Sequence, residues 1–355
     1  MSTPPPTRFT EHVYATKHGV ELPLRIWRCL DSPDPADSNY ADPMDSAFSV
    51  AASEQPPRTK KPWLLWSHGG GFMGGSLVPA PWVLPAFQTW AHVVSYGYRL
   101  APHAGIDDMV DDGTDAFDWC RAHLPTLLDD IDIDAYAVGG LSAGGTLALL
   151  NARNLSPRPR AVLDVYGIAD FGDPCFDPKF TGPGYDPGTV SGRYSEGELE
   201  RAIADRDLRN AHTSLAGDED PDAESTAQAW YKRVLEVLGA AVDKRALQQD
   251  VRVHVAATSR IMRVLTRRER FTNNDTWREH ATSISPIALV DAHFPPTAIL
   301  HGVADKVVPV DQSARLAKKL EDLGVQVTKI YAENRDHCFD FELIVSTGKG
   351  GGADG

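Results

Sequence analysis

Residues Gly140-Leu141-Ser142-Ala143-Gly144 set a serine between glycines, directly after the apolar run Ala135 to Val138 and before the helix-like run Thr146 to Leu150. This is the G-x-S-x-G pattern in a strand-turn-helix setting, which lifts a serine hydroxyl above the end of a sheet as a nucleophile. Such a turn is strained, and its flanking side chains must be tiny for strand and helix to approach each other. The competing reading is a glycine turn beside a nucleotide, and spacing tests it. Gly69, Gly71 and Gly74 in "HGGGFMGG" satisfy G-x-G-x-x-G, but that fingerprint also wants an acid about 20 positions later to hold a ribose hydroxyl. The first Asp or Glu after Gly69 is Asp107. Around Ser142 the glycine positions are taken by Leu141 and Ser142, and neither turn carries a P-loop lysine. The pattern therefore points to nucleophilic catalysis without an organic cofactor.

Acyl transfer from a serine also needs N–H donors for the oxyanion. "HGGGF", His68 to Phe72, follows a buried strand-like run and precedes the first covering helix, which is where a hydrolase with this elbow keeps its oxyanion loop. The amides of Gly70, Gly71 and Ala143 are the expected donors. An acid and a base must follow in the order Ser, Asp/Glu, His. Asp305, in "LHGVADKVVP", lies just past an apolar strand, and His337, in "ENRDHCF", follows 32 residues later, past the last strand. Among the competitors, His301 reads as a packed or hydrogen-bonded structural residue and His68 as an orienter of the glycine loop. Asp311 reads as a helix N-cap, and Asp336 is expected to point elsewhere.

The elements that must position these groups alternate. A hairpin is expected around His18-Gly19. From Pro62 onward the runs "WLLWSH", "VVSYGYRL", "YAVGG" and "AVLDVYG" read as strands. Between them, "APWVLPAFQTWAH", "DDMVDDGTDAFDWCRAHL" and "SAGGTLALLNAR" read as helices. After an interruption come "TAILHGV", "DQSARLAKKLEDLG" and "VTKIYAE", a strand, a helix and a strand. This order implies an α/β fold, a mostly parallel sheet with helices on both faces. One domain is expected over 1–355, with a flexible loop at 31–61, an inserted helical cap at 170–286 and a flexible tail at 346–355. Three helical patterns fill the insertion: "EGELERAIADRDLRNAH", "AESTAQAWYKRVLEVLGAAV" and "KRALQQDVRVHVAATSRIMRVLTRRER". The run Arg263, Arg267, Arg268 and Arg270 reads as a solvated helix face in preference to a hold for an anionic acyl carrier.

Composition bounds the rest. The chain has 355 residues, of which 42% are apolar, enough for a large core. A formal charge of −14 argues against nucleic acid or an anionic membrane as partner. The start, "MSTPPPTRFTEH", has no signal-peptide core and no window reaches bilayer-spanning length, so a cytoplasmic protein is expected. Cys29, Cys120, Cys175 and Cys338 lack metal-site spacing, so neither a disulfide framework nor a metal is indicated. The expected partner is a small-molecule ester.

At these residues the chain resembles the α/β-hydrolase superfamily, and within it the hormone-sensitive-lipase-like esterases, the α/β hydrolase fold-3 group. The resemblance rests on His68-Gly69-Gly70-Gly71, on "YRLAP" at Tyr98 to Pro102, on the elbow with Gly145, and on the Asp305 and His337 segments. It implies an α/β-hydrolase fold and a serine esterase with a Ser142-His337-Asp305 triad, acting on a carboxylic ester or lactone. The chain departs from that group at Leu141, where an aspartate is usual, and at Gly97, which replaces the aspartate of D-Y-R-L-A-P. The group's cap is also usually built from the N-terminal segment, whereas here a long insertion follows "AVLDVYG". A pathway-specific hydrolase or acyltransferase on a bulky secondary-metabolite ester is the alternative. A non-catalytic binder on the same fold is the third reading, disfavoured because Ser142, Asp305 and His337 are all available.

Overall fold

In the computed structural model, residues 9–32, 59–176, 193–213 and 244–342 are described. His18 and Gly19 take φ of 54° and 80°, the left-handed pair that matches a two-residue hairpin turn to the twist of its strands. They join β1 (Phe9–Lys17) to β2 (Val20–Trp27), which pair antiparallel. Most of the expected 31–61 loop lies outside the described residues. The chain then alternates through β3 (Lys61–Ser67), α1 (Val83–Phe87), β4 (His92–Tyr96), α2 (Ile106–Leu127), β5 (Ile131–Leu141), α3 (Ala143–Asn154) and β6 (Ala161–Val165). After the insertion come β7 (Thr297–Gly302), a long helix and β8 (Val327–Ala332). The eight strands lie in the order β1-β2-β4-β3-β5-β6-β7-β8. The pairs β1/β2 and β2/β4 are antiparallel and the others parallel, so the expected mostly parallel sheet is what forms.

Register brings the chemistry to one edge. Ser67, the last residue of β3, pairs with Gly140, and Leu141, the last of β5, pairs with Val165 of β6. At the far side Gly302 of β7 pairs with Ala332 of β8. The loops after β3, β5, β6, β7 and β8 therefore all emerge at the carboxyl end of the sheet, where open α/β sheets place their ligands. Beneath them, Trp63 stacks on Tyr136 and Phe117 with ring centroids 5.2 and 6.2 Å apart. Helix α2 closes that face with buried Met109, Ala116, Phe117, Cys120 and Leu124, a spacing that keeps one helical stripe inward.

Two elements are shorter than their sequence suggests. The helix expected over Ala80 to His92 is only Val83–Phe87, because Pro81 and Pro85 withhold amide donors and His92 already belongs to β4. Strand β4 stops at Tyr96: the Gly97 amide still donates to Pro23 of β2, but Pro23 has no amide to return the bond, and the Ala101 amide goes to the carbonyl of Phe72.

Between β6 and β7 the described residues carry helices and no strand. The first pattern forms α4 (Glu196–Ala204), started by a Ser195/Glu198 capping box. The second, 223–242, lies outside the described residues. The third is expected as one helix but breaks at Ser259, with φ 56°, into α5 (Lys244–Ala257) and α6 (Ile261–Leu265). Asn273 then caps α7 (Asn274–Ser283), which periodicity did not single out, and a short α8 (Pro286–Leu289) follows. The arginine run is only partly a solvated face: Arg270 is exposed, but Arg267 is buried and donates to the carbonyls of Pro102 and His103, while Arg263 lies over the Trp277 ring. The two roots of the insertion meet, as Ser285 Oγ accepts from the Phe171 amide at 2.8 Å and Thr282 donates to Asp170 at 3.1 Å. The expected 346–355 tail lies outside the described residues. Among the described residues no helix is long and apolar enough to cross a membrane.

Candidate active site

Ser142 sits between β5 and α3 with φ 54° and ψ −121°, a strained conformation that a β-carbon-bearing residue keeps only when its surroundings impose it. They do so by close approach. A Cβ on Gly144 would lie 2.0 Å from the carbonyl oxygen of Ser67, so only glycine lets the first turn of α3 rest against the end of β3. The Ser142 amide donates to Val165 O at 2.8 Å, fixing the elbow to β6 as well.

His337 reaches this serine from the loop after β8. Its Nε2 lies 3.1 Å from Ser142 Oγ, and its Nδ1 lies 2.6 Å from Asp305 Oδ2. Asp305, in the loop after β7, has a fully buried side chain, and its Oδ1 accepts from the amides of Val307 and Val308, each at 2.8 Å. Burial alone would push this carboxyl up; hydrogen bonds from His301 and His337, with the His337 charge, outweigh it and hold Asp305 well below the usual carboxylate range. The structure thus brings Ser142, His337 and Asp305 into one hydrogen-bonded row. His301, expected to be structural, is fully buried between Ser313 Oγ at 2.7 Å and Val308 O at 2.8 Å, and its Nε2 also lies 3.3 Å from Asp305. Asp336 does point elsewhere, accepting from the Lys306 amide at 2.9 Å, yet it also accepts from the His337 amide and so pins the loop. Asp311 is not an N-cap. It is the first residue of α9 (Asp311–Asp322), the helix between β7 and β8, behind Val310, and it pairs with Arg315 one turn on.

The glycine loop runs from the end of β3. Gly70, Gly71 and Phe72 take φ of 116°, 62° and 63°, and a Cβ at Gly70 would lie 2.2 Å from the Gly74 carbonyl oxygen. This left-handed path is what glycine permits cheaply. Ala143 opens α3, and the first amides of a helix have no acceptor inside it. His68 does orient the loop: its Nδ1 lies 2.6 Å from Gly69 O and its ring stacks on Tyr98 at 4.3 Å. Burial lowers its pKa to about 4, against a smaller opposing effect of the Gly69 carbonyl, so the ring is neutral at pH 7. Leu141 packs over this loop, with Cδ1 2.4 Å from where a Gly69 Cβ would be.

Three residues at the site escaped the sequence reading. The Tyr166 ring lies against His337 with centroids 4.5 Å apart, its hydroxyl donates to Asp340 Oδ1 at 2.5 Å, and Trp82 Nε1 donates to Asp340 Oδ2 at 2.6 Å. The available signal was Phe339-Asp340-Phe341, an acid held between two aromatics just after His337. Among the described residues no cluster of three or more His, Cys, Asp or Glu has metal-site geometry.

Comparison with known proteins agrees with this architecture. A family model described as alpha/beta hydrolase fold matches residues 64–231, and the BD-FAE model matches 219–320. Non-reducing polyketide synthase pkbA of Emericella nidulans is 26% identical over 83% of this chain, which spans only 12% of that synthase. Ethyl acetate hydrolase of Pseudomonas putida is 32% identical over 44% of this chain and 43% of its own. Among solved structures, an esterase of Pyrobaculum calidifontis superposes with a TM-score of 0.54 at 19% identity, over 97% of this chain and 85% of its own. Propionate-bound esterase Est2 of Thermogutta terrifontis superposes with a TM-score of 0.51 at 17% identity, over 94% and 86%. At such identities the superpositions establish the fold. The fold is that of the α/β hydrolases, and the family model matched at 64–231 supports the hormone-sensitive-lipase-like group.

Proposed function

We propose that the protein is a serine hydrolase that cleaves a carboxylic ester or lactone. The observation that carries the proposal is the row Ser142 Oγ, His337 Nε2, His337 Nδ1 and Asp305 Oδ2, with contacts of 3.1 and 2.6 Å on a strained elbow. Each group has a role its position supports. His337 Nε2 takes the proton of Ser142 as Oγ attacks the ester carbonyl, and then delivers it to the leaving alkoxide. Asp305, kept ionised, holds Nδ1–H in place and stabilises the imidazolium that forms. The negative oxygen of the tetrahedral intermediate is received by the amides of Gly70, Gly71 and Ala143, each such donor being worth about 3 kcal/mol. Water, activated by the same histidine, releases the acid from the acyl-serine.

The relative named ethyl acetate hydrolase supports the ester as substrate class. The polyketide synthases do not favour the acyltransferase alternative, because the chain spans about an eighth of each. The helices between β6 and β7 serve in this reading as the cap over the site. Turnover of p-nitrophenyl acetate or butyrate tests the proposal: Ser142→Ala is expected to lower kcat by about 10⁴-fold or more. Undiminished turnover by that variant would overturn it.

A further inference from the structure

A second carboxylate lies beside the proposed catalytic row with no part in the mechanism above. Asp340 is fully buried three residues after His337. Its two oxygens are each engaged by a neutral donor from a different loop, Tyr166 at the end of β6 and Trp82 beyond the glycine loop. A buried acid held only by neutral donors carries a desolvation cost that an apolar residue of its size would avoid, so its place asks for a return. Burial pushes its carboxyl up, while the Tyr166 and Trp82 hydrogen bonds and the nearby His337 act the other way.

The return lies in what these bonds hold still. His337 is tied along its edge to Asp305 and Ser142, and the Tyr166 ring lies against it, tilted by 57°. Tyr166 itself has φ 45°, strained for a non-glycine residue, and its amide donates to Leu300 O at 2.8 Å. Its hydroxyl returns to Asp340, on the same turn that carries His337, so phenol, carboxylate and imidazole close a ring of contacts. The Trp82 bond draws a third loop into that ring, and Trp82 packs edge-on against Trp66 of β3 with centroids 5.9 Å apart.

We infer that Asp340 and Tyr166 are positioning residues: the carboxylate tethers the phenol, and the phenol ring sets the plane of His337 against Ser142. The inference rests on the serine-hydrolase reading and adds two residues to it. Neither side chain meets substrate, so the effect is on the chemical step and not on binding.

The test is steady-state hydrolysis of p-nitrophenyl butyrate by the full chain and by Tyr166→Phe, Asp340→Leu, which leaves no acceptor for the phenol, and the double variant. Tyr166→Phe keeps the ring and loses the hydroxyl's bonds to Asp340 and to the neighbouring Cys338 thiol. It is expected to lower kcat by about 10-fold to 100-fold with KM within about twofold, as a loosened proton acceptor would. The double variant should be no worse than Asp340→Leu alone, since either change already removes the bond between Tyr166 and residue 340. A wild-type kcat in Tyr166→Phe, or multiplicative losses in the double variant, overturns the inference and leaves the hydrolase reading intact. A wild-type chain that neither hydrolyses the ester nor reacts with a fluorophosphonate overturns both. If Asp340→Leu does not fold, Tyr166→Phe alone decides.

Discussion

Ser142, Asp305 and His337 were legible because each is tied to a local signal: a glycine-flanked serine at a strand end, then an acid and a histidine in the required order just past two strands. Tyr166 and Asp340 were not, because their significance comes from a contact between loops 174 residues apart, which no local pattern records. Leu141 shows the same divide. The departure from the group's usual aspartate is visible in the sequence, but its reason is the packing over Gly69 and burial among Trp66, Val165 and Tyr166. Restoring the aspartate should therefore harm the fold. Leu141→Asp is expected to lose at least about 2 kcal/mol of stability in urea denaturation, from an unpaired carboxylate in an apolar site. An unchanged midpoint would show that the site is wetter than the burial of Leu141 implies.

At the scale of elements, the sheet was readable from alternation, whereas helix ends were not. Proline donors missing at Pro81 and Pro85 shorten α1, and the left-handed turn at Ser259 divides a helix that periodicity alone extends unbroken. The junction of β3, the glycine loop and α3 makes two predictions. Gly144→Ala places a methyl 2.0 Å from a backbone oxygen that cannot swing away; a loss above about 2 kcal/mol is expected, with activity falling further as Ser142 shifts. A variant of wild-type stability and rate would refute the close approach. The second prediction concerns His68, whose folded pKa of about 4 lies below its ordinary value. The unfolded chain then binds more protons than the folded one between pH of about 6.5 and 4, so stability must rise with pH across that window and is lost as pH falls through it. The expected contribution is about 3 kcal/mol between the two limits. Urea denaturation at pH 7 and 4.5 measures it, and His68→Asn should flatten that part of the profile. A slope left unchanged by the substitution would assign the acid sensitivity to other groups.

The whole molecule joins a legible sheet to an insertion whose attachment the sequence hid. The helical character of the insertion was readable, but not that Arg267 within its arginine run turns inward. Arg267 grips the carbonyls of Pro102 and His103, beside the Ala101 amide that bonds to Phe72 of the glycine loop. The insertion is thereby tied to the loop proposed to receive the oxyanion. Arg267→Ala is expected to cost about 2 kcal/mol, because it removes the donor to the His103 carbonyl and leaves Pro102 O to Arg206 alone, and to speed limited proteolysis within residues 244–285; Arg267→Lys should recover little, as one ammonium cannot serve both carbonyls as the fork does. Equal cleavage rates would show that the insertion holds without this bond. The central claim is that the sheet edge holds a serine activated by His337. The most direct test is fluorophosphonate labelling of the folded chain, with the adduct located by peptide mass mapping. A single adduct on Ser142 is expected, one that His337→Ala forms far more slowly. An adduct elsewhere, no adduct, or an undiminished rate in His337→Ala would contradict it.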